Sequence, residues 1–243
     1  MRPSTGVEFV VSDGQSISVN FAREMPIFPL EAVVLLPQQV LPLHIFEERY
    51  RQMIGRCLDG SGQLAIAVVR EGVDDTSGNP PIQPAVCVAQ IVQHETLPDG
   101  RYNVLLQGVC RARVIKELSP TTERLYRAAY LEPVGEPNPD SDHLYALREW
   151  IEAELSEGPL KQMSVAEHVV EYVRNEEVPN AAVLELVSFA LLTEPALRYR
   201  LLSEGDLDER AAIVRAELAD LARLISLAEN QRSREWPKGC SWN

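Results

Sequence analysis

The pattern of apolar positions changes near residue 140 and divides the chain into two parts. Before this point, apolar residues come in short, β-branched runs separated by Pro and Gly, which is typical of the strands of all-β modules. After it, they recur every three or four positions, as in amphipathic helices. The pattern therefore predicts an α+β chain in which a strand-rich part precedes a bundle of four or five helices.

The first part also contains residues that mark where its strands and its helix begin and end. The string Leu97-Pro98-Asp99-Gly100-Arg101 predicts a hairpin turn, because Pro presets φ, Asp hydrogen-bonds the turn and Gly takes positive φ. One helix is predicted over 47–58, with Gly60 and Gly62 ending it. A long loop is predicted over 71–84, and a proline-rich segment over 132–140 predicts the domain boundary. The predicted strands are 7–11, 17–21, 27–28, 32–36, 41–46, 63–70, 86–95, 102–106, 109–118 and 125–131.

Five helices are predicted in the second part. The first carries a stripe from Leu144 to Leu155, with Asp140, Ser141 or Asp142 as its N-cap. The second begins at Ser164, which has Glu167 in the capping-box position. The third begins near Pro179, a short fourth lies between Pro195 and Gly205, and a long fifth follows the predicted cap Asp206.

The chain has a formal charge of −13, and most of this charge belongs to the helical part. Residues 1–135 carry −3 and residues 136–243 carry −10. This balance argues against a general binder of nucleic acid or anionic membrane, both of which require a positive surface. The N-terminus has no basic segment followed by a long apolar run, and no stretch approaches the length of a membrane span. We therefore expect a cytoplasmic protein.

Neither the cysteines nor the histidines have the spacing of a metal site. The four cysteines contain no C-x-x-C pair, so we expect buried, reduced thiols. The histidines His94, His143 and His168 are scattered through different predicted elements. The sequence therefore predicts no metal, no cofactor and no catalytic residue.

Three strings carry a resemblance to a known family. The longest is Leu41-Pro42-Leu43-His44-Ile45-Phe46-Glu47-Glu48-Arg49-Tyr50-Arg51, preceded by Met25-Pro26-Ile27-Phe28-Pro29-Leu30. The turn at 97–102 followed by Gly108, and the segment from Tyr199 to Arg210, continue the match in the same order. Residues 24–228 thereby resemble the N-terminal, substrate-binding domain of Lon proteases.

This resemblance implies a PUA-like β-barrel of about six strands with one inserted helix, followed by an α-helical bundle. The expected organisation is an N-terminal extension with a hairpin (1–24), the barrel (25–135), the bundle (140–230) and a C-terminal tail (231–243). The tail contains Trp236 and Trp242, which we expect to dock on this chain or on a neighbouring molecule.

The implied function is that of a stand-alone, non-enzymatic module that binds polypeptides, a proteolysis-related adaptor. Within these 243 residues there is no G-x-x-x-x-G-K-[ST] loop for ATP and no match to the Ser–Lys dyad of Lon. The expected partners are unfolded or peptide segments of client proteins and the Lon-type protease machinery. We expect a shallow apolar groove between barrel and bundle as the binding surface.

The candidate residues lie where the longest string passes from strand to helix. Glu47 suits the first turn of a helix, and Arg49 can pair with a carboxylate or a carbonyl. His44, Phe46, Glu47, Arg49 and Tyr50 are therefore predicted either to fix the junction of barrel and helix or to contact a peptide. A hydrolase reaction around His44 is a further alternative, but no nucleophile constellation accompanies this histidine.

An RNA- or nucleotide-binding module is the alternative from a different class. PUA-like folds often bind RNA, and this function requires a local basic patch. The strand-rich part offers five arginines for such a patch, Arg101, Arg111, Arg113, Arg124 and Arg127.

Overall fold

The computed structural model describes residues 6–10, 16–70, 72, 78–137 and 142–232, and the elements below are those of this part of the chain. The strands are β1 (Gly6–Val10), β2 (Ser16–Asn20), β3 (Met25–Leu30), β4 (Val40–Ile45), β5 (Gln63–Val69), β6 (Ile82–Thr96), β7 (Tyr102–Leu118) and β8 (Ala128–Pro133). The helices are α1 (Glu48–Leu58), α2 (Asp142–Ser156), α3 (Ala166–Arg174), α4 (Asn180–Leu191), α5 (Pro195–Ser203) and α6 (Leu207–Arg232). The predicted α+β class, with strands before helices, is confirmed.

A six-stranded sheet forms the barrel, in the order β4-β7-β6-β5-β3-β8. Because β8 also pairs with β7, five of these strands close into a ring, and β4 extends it as an extra strand beside β7. β3 and β5 are parallel, whereas the other neighbours are antiparallel. The barrel with its inserted helix α1 confirms the PUA-like architecture that the resemblance implied. β1 and β2 pair as a separate antiparallel two-stranded sheet.

The longest strands of the barrel are joined by the predicted Pro-Asp-Gly turn. The Leu97 amide donates to the Arg101 carbonyl at 2.8 Å, and Gly100 adopts the positive φ of +79° that the turn requires. The prediction of two strands over 102–106 and 109–118 was wrong, because β7 runs through both. Between them the register shifts by one residue, leaving Val109 as an extra residue opposite β6.

The segment over 32–36 was predicted as a strand and is instead an irregular, buried connection. Ala32 has φ +53° and Gln38 has φ +69°, so the backbone leaves the extended region at both ends. The segment crosses β7 at Gly108, where an added Cβ would lie 2.2 Å from the carbonyl oxygen of Leu36. The β-branched run therefore reflects burial of these side chains and not a place in the sheet.

The five helices α2–α6 form the bundle, and their ends correct one cap prediction. Asp206 caps α6 as predicted, since its carboxylate accepts the amides of Asp208 and Glu209 at 2.8 and 3.1 Å. The capping box at Ser164 was wrong. α3 begins at Ala166, with Val165 at the N-cap position and no side-chain hydrogen bond.

Barrel and bundle share one apolar core. At their contact, the Ala85 amide of β6 donates to the hydroxyl of Tyr199 in α5 at 3.0 Å. Gly135 and Gly205 also meet there, and a Cβ on Gly135 would lie 2.6 Å from the Gly205 carbonyl oxygen. These contacts fix how the helices sit on the barrel.

Several predictions fall on residues outside the described part. They are the first turn at 12–15, the candidate caps Asp140 and Ser141, positions 71 and 73–77 of the loop predicted over 71–84, and the tail with its two tryptophans. The division into domains at 135–140 accordingly stays a prediction. None of the described helices combines the length and the apolar character needed to cross a membrane.

Candidate functional site

A cleft of about 990 Å³ lies between the barrel and the bundle. One side is formed by β7 and the segment after β8, and the other by α2, the end of α3 and the start of α4. Its apolar lining comprises Phe9, Pro37, Val109, Val134, Tyr145, Val173, Val178, Pro179, Ala181 and Ala182. The cleft thus occupies the place where the sequence predicts a groove.

The cleft is more highly charged than the shallow apolar groove expected from the sequence. Six glutamates and four arginines are among the 24 described residues that line it. The charged residues of the lining are Arg111, Glu136, Arg148, Glu149, Glu152, Arg174, Glu176, Glu177, Glu185 and Arg210. A ligand of this cleft therefore meets carboxylates as well as aliphatic side chains.

A buried ion-pair cluster forms the floor of the cleft. Arg111 in β7 donates from both terminal nitrogens to the Glu185 carboxylate in α4, at 2.7 and 2.8 Å. Its Nε donates to the Leu201 carbonyl at 3.0 Å. The Nε of Arg210 lies 3.7 Å from the same carboxylate, and all three charged side chains are at most 8% exposed. The cluster joins the barrel to two helices of the bundle.

Burial sets the protonation behaviour of this floor. The pKa of the Arg210 guanidinium is lowered to about 10, chiefly by loss of solvent contact and also by the neighbouring charge of Arg111, against the opposing effect of Glu185. The Arg210 guanidinium therefore remains charged at neutral pH. The Glu185 carboxylate is held in place by the two parallel hydrogen bonds from Arg111 as well as by the charges of the two arginines.

Arg148 of α2 closes one side of the cleft with its hydrogen bonds. Its guanidinium donates to the carbonyls of Val173, Asn175 and Val178, and to the side-chain oxygen of Asn180 at 2.9 Å. One arginine thus holds the connection between α3 and α4 against α2. The donors of Arg148 are used within the fold.

Two of the predicted site residues, His44 and Phe46, lie together on an exposed surface at the end of β4. Phe46 is 63% exposed, and its ring stacks on His44 with centroids 6.3 Å apart and planes 26° apart. The His44 ring contacts the side-chain oxygen of Asn103 at 2.7 Å and the Arg101 guanidinium at 3.1 Å. Neither residue lines the cleft.

The other three predicted residues, Glu47, Arg49 and Tyr50, lie at the start of α1. The Glu47 carboxylate accepts the Arg49 guanidinium at 2.9 Å, and Arg49 also donates to the Gly78 carbonyl at 2.6 Å. Tyr50 is buried against Phe28, with ring centroids 4.3 Å apart, and burial raises the pKa of its hydroxyl. These contacts correspond to the junction alternative.

Each arginine considered for RNA binding has a carboxylate partner. The pairs are Arg101–Asp99 at 2.6 Å, Arg111–Glu185 at 2.7 Å, Arg113–Glu132 at 3.9 Å, Arg124–Glu24 at 3.0 Å and Arg127–Glu117 at 3.2 Å. Arg111 and Arg127 are also buried. These five side chains do not form the basic patch that the RNA alternative requires.

The cysteines of the described part are free and buried. Burial raises the pKa of the Cys57 and Cys87 thiols to about 12 and that of Cys110 well above its ordinary value. These thiols are therefore protonated and poor nucleophiles near neutral pH. Among the described residues, no group of three or more His, Cys, Asp or Glu side chains is arranged to hold a metal ion.

No sequence pattern connects the residues of the cleft floor. Arg111 is predicted only as an RNA contact, although it lies in a strand between small, apolar residues. Glu185 interrupts the apolar stripe of α4 at a core position, between Leu184 and Val187. A carboxylate at such a position is stable only when paired, so it was the signal that a buried arginine would meet α4.

The chain is similar in sequence to part of the Lon proteases. Residues 24–220 match the family model described as the ATP-dependent protease La (LON) substrate-binding domain. The chain is 31% identical over 141 residues to Lon protease 1 of Syntrophobacter fumaroxidans, and 34% identical over 110 residues to the Lon protease of Escherichia coli. These matches cover 58% and 45% of this chain, but only 17% and 14% of the two relatives.

Solved Lon N-terminal domains share the fold. The N-terminal domain of the Mycobacterium avium complex Lon protease has a TM-score of 0.60 at 20% identity, covering 79% of this chain and 96% of that one. A Lon N-terminal domain protein from Xanthomonas campestris has a TM-score of 0.56 at 21% identity, covering 80% and 98%. At these identities the likeness concerns the fold alone.

Proposed function

Because the chain belongs to the LON substrate-binding domain family, we propose that it binds polypeptide segments in the cleft between barrel and bundle and catalyses no reaction on them. The observation that carries this proposal is the cleft itself, about 990 Å³ between the two parts of the fold. A site of this size accommodates several side chains of an extended peptide. The clients we envisage are unfolded or flexible segments, whose apolar side chains are accessible.

The chemistry of the lining supports binding in preference to catalysis. Among the described residues that line the cleft there is no Ser, Thr, Lys or His, and the thiol of Cys110 is buried with a raised pKa. Acyl transfer requires a nucleophile beside a base that can take its proton. What the cleft offers a peptide is aliphatic surface, the exposed ring of Tyr145 and carboxylates.

The floor of the cleft supports a rigid site. Arg111, Glu185 and Arg210 hold barrel and bundle at one separation, and the carbonyl contacts of Arg148 hold the wall. A preformed site loses less conformational freedom on binding than one that must close. This rigidity favours weak but broad recognition, in which apolar contacts rather than sequence-specific hydrogen bonds contribute most of the affinity.

The exposed pair of His44 and Phe46 is a second candidate contact. A phenylalanine that is 63% exposed gains free energy when a partner covers it. We assign these two residues to peptide contact and Glu47, Arg49 and Tyr50 to the junction. The proposal further includes action in the cytoplasm alongside a Lon-type protease, to which such an adaptor would deliver its clients.

The test is a titration that compares an open and a filled cleft. A fluorescent peptide with spaced apolar and basic residues is titrated with the full chain, and its anisotropy is recorded. Ala182→Trp fills the cleft and is expected to weaken binding about tenfold or more. Ala219→Trp, on the exposed face of α6, is the matched control and is expected to bind as the unmodified chain does. Equal affinities of the two variants would contradict the proposal.

A further inference from the structure

The arginines of the cleft make ion pairs and hydrogen bonds within the part of the fold that the structure describes, whereas four of its glutamates do not. Each of its four arginines has acceptors in the chain. Arg111 and Arg210 share Glu185, and Arg148 donates to carbonyl groups. Arg174 donates to Glu152 at 2.8 Å and to Ser156 at 2.9 Å. The positive charge of the cleft is therefore already neutralised or hydrogen-bonded.

Four glutamates of the cleft differ from these arginines. Glu136, Glu149, Glu176 and Glu177 are exposed and line the opening, and we call them the acidic rim. Within the described part of the chain, none of their carboxylates forms an ion pair or a hydrogen bond. The rim thus presents four unpaired carboxylates at the opening, and the six glutamates and four arginines of the described lining sum to −2.

An exposed aromatic ring accompanies one carboxylate of the rim. Tyr145 is 59% exposed, and it precedes Glu149 by one turn of α2. Residues four apart on a helix lie on the same face, so ring and carboxylate border the cleft together. An aromatic face beside a carboxylate is complementary to a guanidinium or ammonium group, which gains from both.

From this arrangement we propose that the cleft selects polypeptide segments in which Lys or Arg side chains flank apolar residues. The inference rests on the function proposed above and specifies its ligand. The apolar side chains of the segment pack on Val134, Val178 and Pro179, which are partly or fully exposed, while a cationic side chain lies against Tyr145 and Glu149. Acidic segments are disfavoured, because the rim repels them and the arginines are already committed.

The negative charge of the bundle adds a kinetic element to this selectivity. Residues 136–243 carry a formal charge of −10, which attracts cationic segments over distances comparable to the Debye length. Association with a basic peptide should therefore be fast at low ionic strength and slow as salt is added. Part of the preference would accordingly be lost in high salt, while the apolar contacts remain.

The experiment uses three peptides of equal length with the same apolar residues, in which the flanking positions are all Lys, all Gln or all Glu. Anisotropy titrations with the full chain are expected to rank them Lys, Gln, Glu. The affinities of the first and last should differ at least about tenfold at low salt. Equal affinity for the three peptides would overturn the inference but leave the proposed function intact. Failure of all three to bind would contradict the proposed function itself.

Two matched variants separate the rim from the overall charge. The first replaces Glu136, Glu149, Glu176 and Glu177 with Gln, and the second replaces four exposed carboxylates elsewhere in the helical part, Glu157, Glu171, Glu194 and Glu229. Both change the net charge equally. The rim variant should lose the preference for Lys over Gln while still binding the Gln peptide, and the second variant should keep it. Equal loss in both variants would overturn the inference.

Discussion

Arg111 in the barrel and Glu185 in the bundle form a two-pronged ion pair, with nitrogen–oxygen distances of 2.7 and 2.8 Å. The pair lies at the floor of the cleft, where both side chains are at most 8% exposed. Its geometry couples the two parts of the fold at the place where we propose that a polypeptide binds. Damage to this pair should therefore affect both stability and binding.

Glu185→Gln is expected to destabilise the fold strongly. The substitution keeps the shape of the side chain but leaves the charges of Arg111 and Arg210 buried without their carboxylate. Breaking a buried pair in this way costs about 3–5 kcal/mol. Urea unfolding measures the free energy of unfolding, and Glu171→Gln on the exposed face of α3 is the control, with a change below about 0.5 kcal/mol. Similar stabilities of the two variants would show that the cluster is not a structural link.

Gly135→Ala should open the contact between barrel and bundle. Gly135 has φ +80°, and a Cβ there would lie 2.6 Å from the Gly205 carbonyl oxygen. Both the left-handed backbone and the steric overlap then destabilise the fold, by more than about 2 kcal/mol in total. Gly72→Ala has the same backbone strain at φ +74° but no atom within 4 Å, so a loss of only about 1 kcal/mol is expected. Thermal unfolding gives the midpoint temperature of each variant. Equal midpoints would contradict a role for the close contact between Gly135 and Gly205.

The five residues of the strand-to-helix junction should separate by experiment into two groups. Phe46→Ala removes an exposed ring and should change the free energy of unfolding by less than about 0.5 kcal/mol, while weakening peptide binding. Tyr50→Ala removes a ring packed on Phe28 and should cost about 3 kcal/mol or more. Urea unfolding and anisotropy titration on each variant give the two readouts. A large loss of stability in Phe46→Ala would contradict this assignment.

Stability should fall in alkaline solution as the unfolded thiols ionise. Burial raises the pKa of Cys57 and Cys87 from 9.0 to about 12, so the folded chain retains thiol protons that the unfolded chain releases. Their stabilising contribution is complete below pH 9 and is lost as the pH rises from 9 toward 12. The slope approaches about 1.4 kcal/mol per pH unit for each thiol.

The control for the alkaline effect is the double variant Cys57→Ala/Cys87→Ala. Its free energy of unfolding starts lower, because two buried side chains are shortened, but it should decline less steeply above pH 9. Urea unfolding at a series of pH values compares the two slopes. Parallel declines in both proteins would indicate that other groups cause the alkaline loss.

The sequence was sufficient where local chemistry decides the structure. The turn at Pro98-Asp99-Gly100 and the cap at Asp206 depend on side chains within a few residues, and both form as predicted. The segment at 32–36 failed for the opposite reason. Its apolar run is typical of a strand, but the course of the chain is set by a distant residue, Gly108, which allows the Leu36 carbonyl to approach.

The candidate site shows the same division between local and distant determinants. The contact of Arg49 with Glu47 depends on neighbours in sequence, and the structure pairs them at 2.9 Å. The cleft floor joins positions 111, 185 and 210, which no local pattern connects. Only the burial of Glu185 among apolar residues of α4 pointed toward it, and the identity of its partner depended on the packing of helices on the barrel.

Site-specific photo-crosslinking tests the central claim, polypeptide binding in the cleft, most directly. A benzophenone side chain replaces Ala182 in the cleft or Ala219 on the exposed face of α6, and each protein is irradiated with the Lys-flanked peptide. Binding in the cleft predicts a crosslinked peptide from position 182 that excess unlabelled peptide suppresses, and little or none from position 219. If the peptide binds in solution but crosslinks equally from both positions, or from 219 alone, the claim is contradicted.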